Sequence, residues 1–170
     1  KHIAEVTFPN TKFEKVFVPR KIVFRSNEYL IKGIGQYTSP NTSIKSITFQ
    51  DDSEIDSLNF DTINCELLET VTIPSRVERI LFGINKYEHL TNIIVSDSNK
   101  YFTWFENSFL LGKSDKRYAE YDLLVFARRN IEHAKIPPSI KRICPYCFYN
   151  CKNLKTIEFL SDKNLGSIGS

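Results

Sequence analysis

No apolar run in this sequence approaches the roughly 20 residues that a bilayer-spanning helix requires. No basic, apolar and small-residue succession opens the chain, so no signal peptide is read at its start. Histidine is scarce: His2, His89 and His133 lie far apart, with no nucleophile motif beside any of them. Catalysis needs an acid, base or nucleophile positioned in a cleft, and no such set is evident, so an enzyme is not expected. Glycine numbers only six, and Ile31-Lys-Gly33-Ile-Gly35-Gln36 lacks the third glycine and the strand-to-helix setting of a dinucleotide site. No cofactor is expected. Charge of one sign is also lacking, since 23 basic and 20 acidic residues leave a net +3, too little to imply nucleic acid. What charge there is lies unevenly: residues 1–46 carry net +5, 47–110 net −7 and 111–170 net +5. Such segregation can steer a partner, although runs of this kind are usually solvated faces.

What the chain does have is repetition. Six places carry apolar residues spaced as L-x-x-L-x-L: Ile3/Val6/Phe8, Ile44/Ile47/Phe49, Leu68/Val71/Ile73, Leu90/Ile93/Val95, Ile131/Ala134/Ile136 and Leu154/Ile157/Phe159. The central members are 41, 24, 22, 41 and 23 residues apart. Three of these steps fall at the leucine-rich-repeat period of 20–29. The two long ones exceed a repeat by about 18 residues and are read as insertions. In each triplet the two inner positions of the strand point to one face and the alternate ones to the other.

The stretch 136–159 resembles the unit of the BspA-like leucine-rich repeats at Ile136, Pro137, Ser139, Ile140, Ile143, Phe148, Cys151, Leu154, Ile157 and Phe159. Residues 73–95 match at Ile73, Pro74, Ser75, Val77, Ile80, Leu90, Ile93 and Val95, with Tyr87 in the Cys slot. Residues 43–73 keep Asn64-Cys65-x-x-Leu68, and Leu165 and Ile168 open a further unit. The resemblance implies a leucine-rich-repeat solenoid of α/β type: a parallel concave β-sheet, short helical or 3-10 convex segments (Ile140–Cys151 among them) and β-hairpin insertions. The expected organisation is a β-rich N-terminal segment over 1–42, repeats over 43–98, a hairpin insertion over 99–130 and incomplete repeats over 131–170. The chain lacks methionine and stops in mid-pattern at Ser170, so it is expected to be part of something longer.

The same grammar places the cysteines. Cys144, Cys147 and Cys151 suggest metal by their C-x-x-C-x-x-x-C spacing, but each occupies a small or Cys slot of the repeat and no fourth ligand follows. Neither a metal site nor a disulfide is expected. In residues 99–130 the runs Phe109–Leu111 and Leu123–Ala127 flank a polar stretch, a hairpin signature. Trp104, Arg128 and Arg129 in this insertion are contact candidates, since aromatics with arginine suit hot spots. They suit equally the gluing of a hairpin onto a repeat edge, which is the favoured reading.

Resemblance to this family implies recognition of a protein or glycan by the concave sheet, often at cell surfaces. The outward rows are then Thr7, Thr48, Thr72, Ile94, Lys135 and Glu158, and Glu5, Ser46, Thr70, Asn92, His133 and Thr156. The alternative is an intracellular scaffold component of a larger assembly. The sequon Asn41-Thr42-Ser43, if glycosylated, would favour the surface.

Overall fold

A computed structural model describes residues 2–8, 12–36, 41–81, 83–161 and 166–169. The chain divides into two compact units, Lys1–Lys100 and Tyr101–Ser170. Leu165 lies outside the described residues.

In the first unit the elements run β1 (His2–Val6), β2 (Lys15–Val18), β3 (Lys21–Phe24), β4 (Asn27–Ile34), β5 (Ser46–Phe49), β6 (Ser57–Asn59), helix α1 (Phe60–Ile63), β7 (Thr70–Ile73), β8 (Arg79–Leu81), a 3-10 turn (Ile84–Lys86) and β9 (Asn92–Val95). The sequences Ser-Ile-Thr-Phe, Thr-Val-Thr-Ile and Asn-Ile-Ile-Val alternate with period two and are rich in β-branched residues, which suits a half-buried strand. β2, β5, β7 and β9 form a parallel ladder in which Val16, Ile47, Val71 and Ile93 share one row. Ile47, Val71 and Ile73 are fully buried and Ile93 nearly so. Burial of each such side chain stabilises by about 1.5–3 kcal/mol. Downstream, β6 and β8 make a second parallel pair with Leu58 opposite Ile80.

One turn recurs after β5, β7 and β9. The carbonyls of Gln50, Pro74 and Ser96 accept the N–H three residues on, from Ser53, Val77 and Asn99. Proline suits the slot because it has no N–H to extend the ladder. A second turn precedes β7 and β9, closed by Leu68 N–H to Cys65 and Leu90 N–H to Tyr87. Asn64, just before Cys65, adopts φ +46°, a left-handed conformation that Asn tolerates better than most residues.

The first rung differs from the sequence expectation. Ile3, Val6 and Phe8 do not open the ladder: β1 pairs in parallel with β4, and β4 with β3 antiparallel, in a separate three-stranded sheet. The rung beside β5 is β2, with Val16 opposite Ile47 and Val18 opposite Phe49. Phe13-x-x-Val16-x-Val18 satisfies the same spacing, so two triplets competed and the one nearer to β5 pairs with it. Glu5 and Thr7 accordingly leave the outward rows, and Lys15 and Phe17 take their places.

The second unit holds β10 (Phe102–Phe105), β11 (Phe109–Gly112), β12 (Leu123–Ala127), β13 (His133–Ile136), β14 (Arg142–Ile143), β15 (Thr156–Phe159) and β16 (Ser167–Ile168). β10, β11 and β12 are antiparallel neighbours, and β12 passes the sheet on in parallel to β14 and then β16. Glu106 and Asn107 join β10 to β11 with φ of +46° and +53°, the mirror-image turn whose twist matches paired strands. β13 and β15 form a two-stranded parallel ladder of their own. The core gathers Phe109, Leu111, Leu124, Ile131, Ala134, Ile136, Ile140, Ile143 and Cys147.

Two expectations are corrected here. Residues 140–151 contain no helix: Arg142–Ile143 is a strand, followed by turns in which Tyr146 and Asn150 have positive φ. Pairing with β12 gives this segment a sheet partner, and a chain whose N–H groups are satisfied sideways has no need of a helical turn. The six triplets also do not share one sheet among the described residues, because β9 and β13 end separate ladders.

Candidate functional site

Each ladder strand presents two outward positions. In the first unit one outward row is Lys15, Ser46, Thr70 and Asn92, and the other is Phe17, Thr48, Thr72 and Ile94. The first row offers an ammonium, two hydroxyls and an amide. The second has threonines in its middle and apolar ends, Phe17 at 61% and Ile94 at 48% exposure. An exposed phenylalanine keeps apolar surface in water, and covering it by a partner would release that surface. Sequence reasoning missed Phe17, and the competing Phe13/Val16/Val18 triplet was the signal that would have found it.

Thr72 has a structural duty in addition. Its hydroxyl accepts the Phe49 N–H at 2.7 Å, where direct pairing of β5 with β7 stops after Ile47 and Val71. The hydroxyl therefore stands in for a ladder carbonyl.

The residues just before the strands carry alternating charge. Glu14, Lys45 and Glu69 follow one another, each of the first two giving its carbonyl to two N–H groups of the next coil. Lys45 Nζ lies 2.9 Å from Glu14, and its pKa is raised chiefly by that hydrogen bond, with Glu69 adding attraction. At the other ends of the strands Arg20 bonds to Asp52 and Glu54, and Arg76 also reaches Glu54. The hydrogen bond from Arg20 is the main cause that holds the Glu54 carboxyl below its ordinary pKa. Asp52 and Glu54 are thus tied to arginines from the neighbouring coils.

In the second unit His133 and Lys135 stand opposite Thr156 and Glu158 on the outward side of β13 and β15. His133 Nδ1 and Thr156 Oγ1 are 2.9 Å apart, and Lys155 pairs with Glu132 at 2.7 Å. Trp104 is half-buried on β10, with the Arg128 guanidinium 4.7 Å from its ring centre and also bonded to Asn107 at 2.6 Å. Arg129 stacks 4.2 Å from the Phe126 ring and donates to the Cys147 carbonyl at 3.1 Å. All three residues are therefore engaged with the fold around them.

The cysteines are free thiols. Burial pushes Cys65 up to about 12 and Cys144 to about 11, and raises Cys147 and Cys151 as well. Cys65 borders a cleft of about 410 Å³ with Phe60, Asp61, Tyr87 and His89. Its Sγ donates to the Ile63 carbonyl, so the thiol is no ready nucleophile. Among the described residues no three His, Cys, Asp or Glu side chains come together to hold a metal ion. None of the described helices is long and apolar enough to cross a membrane. Asn41 is fully buried, and its side-chain oxygen accepts the N–H groups of Ser43 and Ile44, both at 2.9 Å. A glycan has no access to it in this fold, so the sequon carries no weight for either compartment.

The repeating turns, parallel rungs and slot residues have a family counterpart. The family model for BspA type leucine-rich repeat regions matches residues 1–110 and 122–170 in six copies. The chain belongs to the BspA-type leucine-rich repeat family. Domains of this family are generally non-catalytic and typically bind proteins. No curated protein matches the sequence. Among solved structures, a leucine-rich repeat protein from Eubacterium ventriosum is 23% identical over 85% of this chain, with a TM-score of 0.57. This likeness shows the fold, and the chain spans 41% of that protein. A leucine rich cell surface protein from Faecalibacterium prausnitzii is 16% identical, covering 94% of this chain and 66% of its own, with a TM-score of 0.49. The pneumococcal vaccine antigen PcpA is 14% identical, covering 99% and 60%, with a TM-score of 0.40.

Proposed function

We propose that this BspA-type chain is a non-catalytic recognition module that binds a protein or glycan partner on the outward faces of its parallel ladders, in a cell-surface, adhesive setting. The observation that carries this reading is the row Phe17, Thr48, Thr72 and Ile94, in which two exposed apolar side chains flank hydroxyls on a rigid sheet. A rigid frame lowers the entropy lost on binding, and aromatic anchors supply the area. Asn92 and the pairs His133/Thr156 and Lys135/Glu158 add polar contacts. Trp104, Arg128 and Arg129 are assigned to holding the hairpin and not to the partner. The test is affinity capture from the source cells with three baits: the native chain, Phe17→Ala/Ile94→Ala, and Lys135→Ala/Glu158→Ala. Loss of one captured partner with the first double variant, at unchanged melting temperature, supports the reading. Equal capture by all three baits refutes it.

A further inference from the structure

The cleft beside Cys65 is built in mid-chain, by the two turns that precede β7 and β9, and none of its lining residues belongs to an outward row. Its volume of about 410 Å³ falls within the roughly 300–1,000 Å³ that small ligands occupy. Phe60, Cys65 and Tyr87 are buried and form the floor, the two rings meeting edge to face at 5.7 Å. The polar atoms of this floor are already used. The Tyr87 hydroxyl donates to the Phe60 carbonyl at 2.7 Å, and the Cys65 thiol donates to the Ile63 carbonyl. What the floor offers a ligand is therefore ring and carbon surface. The rim differs: Asp61, Glu66 and Glu88 line it exposed, against the ammonium of Lys86 and the His89 ring. Lys86 lies 3.6 Å from Asp61 with both side chains exposed, a pairing that a competitor displaces at little cost. The stretch 47–110 around the cleft carries net −7, so its field has the sign of the rim. Gly83 sets the Asp61 wall. Its φ is +91°, and a Cβ there would stand 2.5 Å from Asp61 Oδ1 and 3.0 Å from the Asp61 amide nitrogen. Only glycine lets that carboxylate rest where it does.

We propose that this cleft binds an aliphatic amine carrying more than one ammonium, with its alkyl segments on the floor and its charges at the carboxylates of the rim. The arrangement of the acids selects this ligand over a metal ion. Among the described residues no three His, Cys, Asp or Glu side chains come together to hold a metal, so a divalent ion finds no shell of oxygens. A chain whose charges stand apart suits carboxylates that stand apart. An anion is repelled by the rim, and an uncharged apolar ligand would dehydrate the carboxylates without giving them a partner. Floor and rim together therefore ask for carbon and positive charge in one molecule. A free polyamine has that chemistry, and so do the lysine side chains of a protein, whose long apolar stems lie along carbon surface while the ammonium stays at the edge.

Titration of the isotope-labelled full chain with spermidine, and separately with an acetylated trilysine amide, followed by amide chemical shifts, tests this. The expected result is saturable shifts confined to the two turns, residues 60–67 and 83–89. Asp61→Asn/Glu66→Gln should raise the dissociation constant at least about fivefold, as the loss of two exposed ion pairs implies. Asp51→Asn/Asp97→Asn removes the same charge outside the cleft. It should change the constant less than about twofold at roughly 0.15 M salt, where charges more than about 8 Å away are screened. All four carboxylates are on exposed residues, so both variants should keep the native circular dichroism. Tighter binding of spermidine makes a free polyamine the source, and tighter binding of the peptide makes it a lysine-bearing partner. Absence of binding by both, shifts spread over acids far from the turns, equal weakening by the two double variants, or displacement by an equimolar amount of Mg²⁺ would each overturn the proposal.

Discussion

Asn41 shows how much one slot of the repeat decides. It sits three residues before Ile44, as Cys65 sits before Leu68, and the two form an isolated parallel bridge. Where Cys65 leaves the turn to its backbone carbonyl, Asn41 uses its side-chain oxygen to accept two N–H groups. Asn41→Ala should therefore destabilise by about 1–3 kcal/mol, because a buried donor and a partly buried one lose their acceptor. Urea unfolding checks this, and a change within a few tenths of a kcal/mol would show that water replaces the amide. Glu54 supports a prediction in pH. Its carboxyl, bonded by Arg20 and drawn by Arg76, is held below the ordinary carboxylate range. A depressed folded-state pKa gives stability that is present above the unfolded value of about 4.3 and is lost as pH falls through the folded value. The melting-temperature difference between the native chain and Glu54→Gln should be largest near neutrality and vanish in acid. A difference independent of pH would mean that the carboxylate charge is not what stabilises. Neither role was legible in the residue itself: the sequon motif drew attention to the wrong chemistry of Asn41, and the partners of Glu54 lie 34 and 22 residues away.

At the scale of elements, the ladder strands were readable because β-branched residues alternate at a fixed distance from a preceding apolar residue. That signal is local and repeats. The hairpin β11–β12 was readable for a like reason, as two apolar runs around a polar break. β10 was not, since Phe-Thr-Trp-Phe has no polar alternation and Glu106-Asn107 lacks the glycine that usually marks a mirror-image turn. The helical or 3-10 segment expected over Ile140–Cys151 was also misjudged, whereas α1 and the 3-10 turn Ile84–Lys86 lie between ladder strands as short helical pieces. Ile143 and Ile168 fill slots of the repeat, but the slot alone does not show that each gains a rung from a strand far off in sequence. Trp104 tests what β10 does. With Arg128 against its ring, its removal should loosen the β10–β11 pair and lower stability by about 1–3 kcal/mol, below the value for a fully buried ring because it is only partly buried. Partner capture should be unchanged. Lost capture at constant melting temperature would move Trp104 from the hairpin's support to the contact surface.

For the whole molecule, the repeat period announced the family while leaving sheet membership undetermined. Period and slot residues are properties of one coil, but which coils stack depends on how insertions are accommodated. That is why β2 displaced the Ile3/Val6/Phe8 segment, and why among the described residues the ladders are four and two strands long instead of six. A stack of this kind has nearest-neighbour energetics, so protection should follow the number of covered neighbours. β5 and β7 have a rung on either side and buried inward residues, whereas β3 is exposed along its whole length and β15 pairs with one strand among the described residues. Native-state hydrogen exchange should therefore rank the ladder amides of β5 and β7 slowest, those of β15 faster, and those of β3 fastest. Uniform protection across all these strands would mean that the chain opens only as a whole, and that stability is not assembled coil by coil.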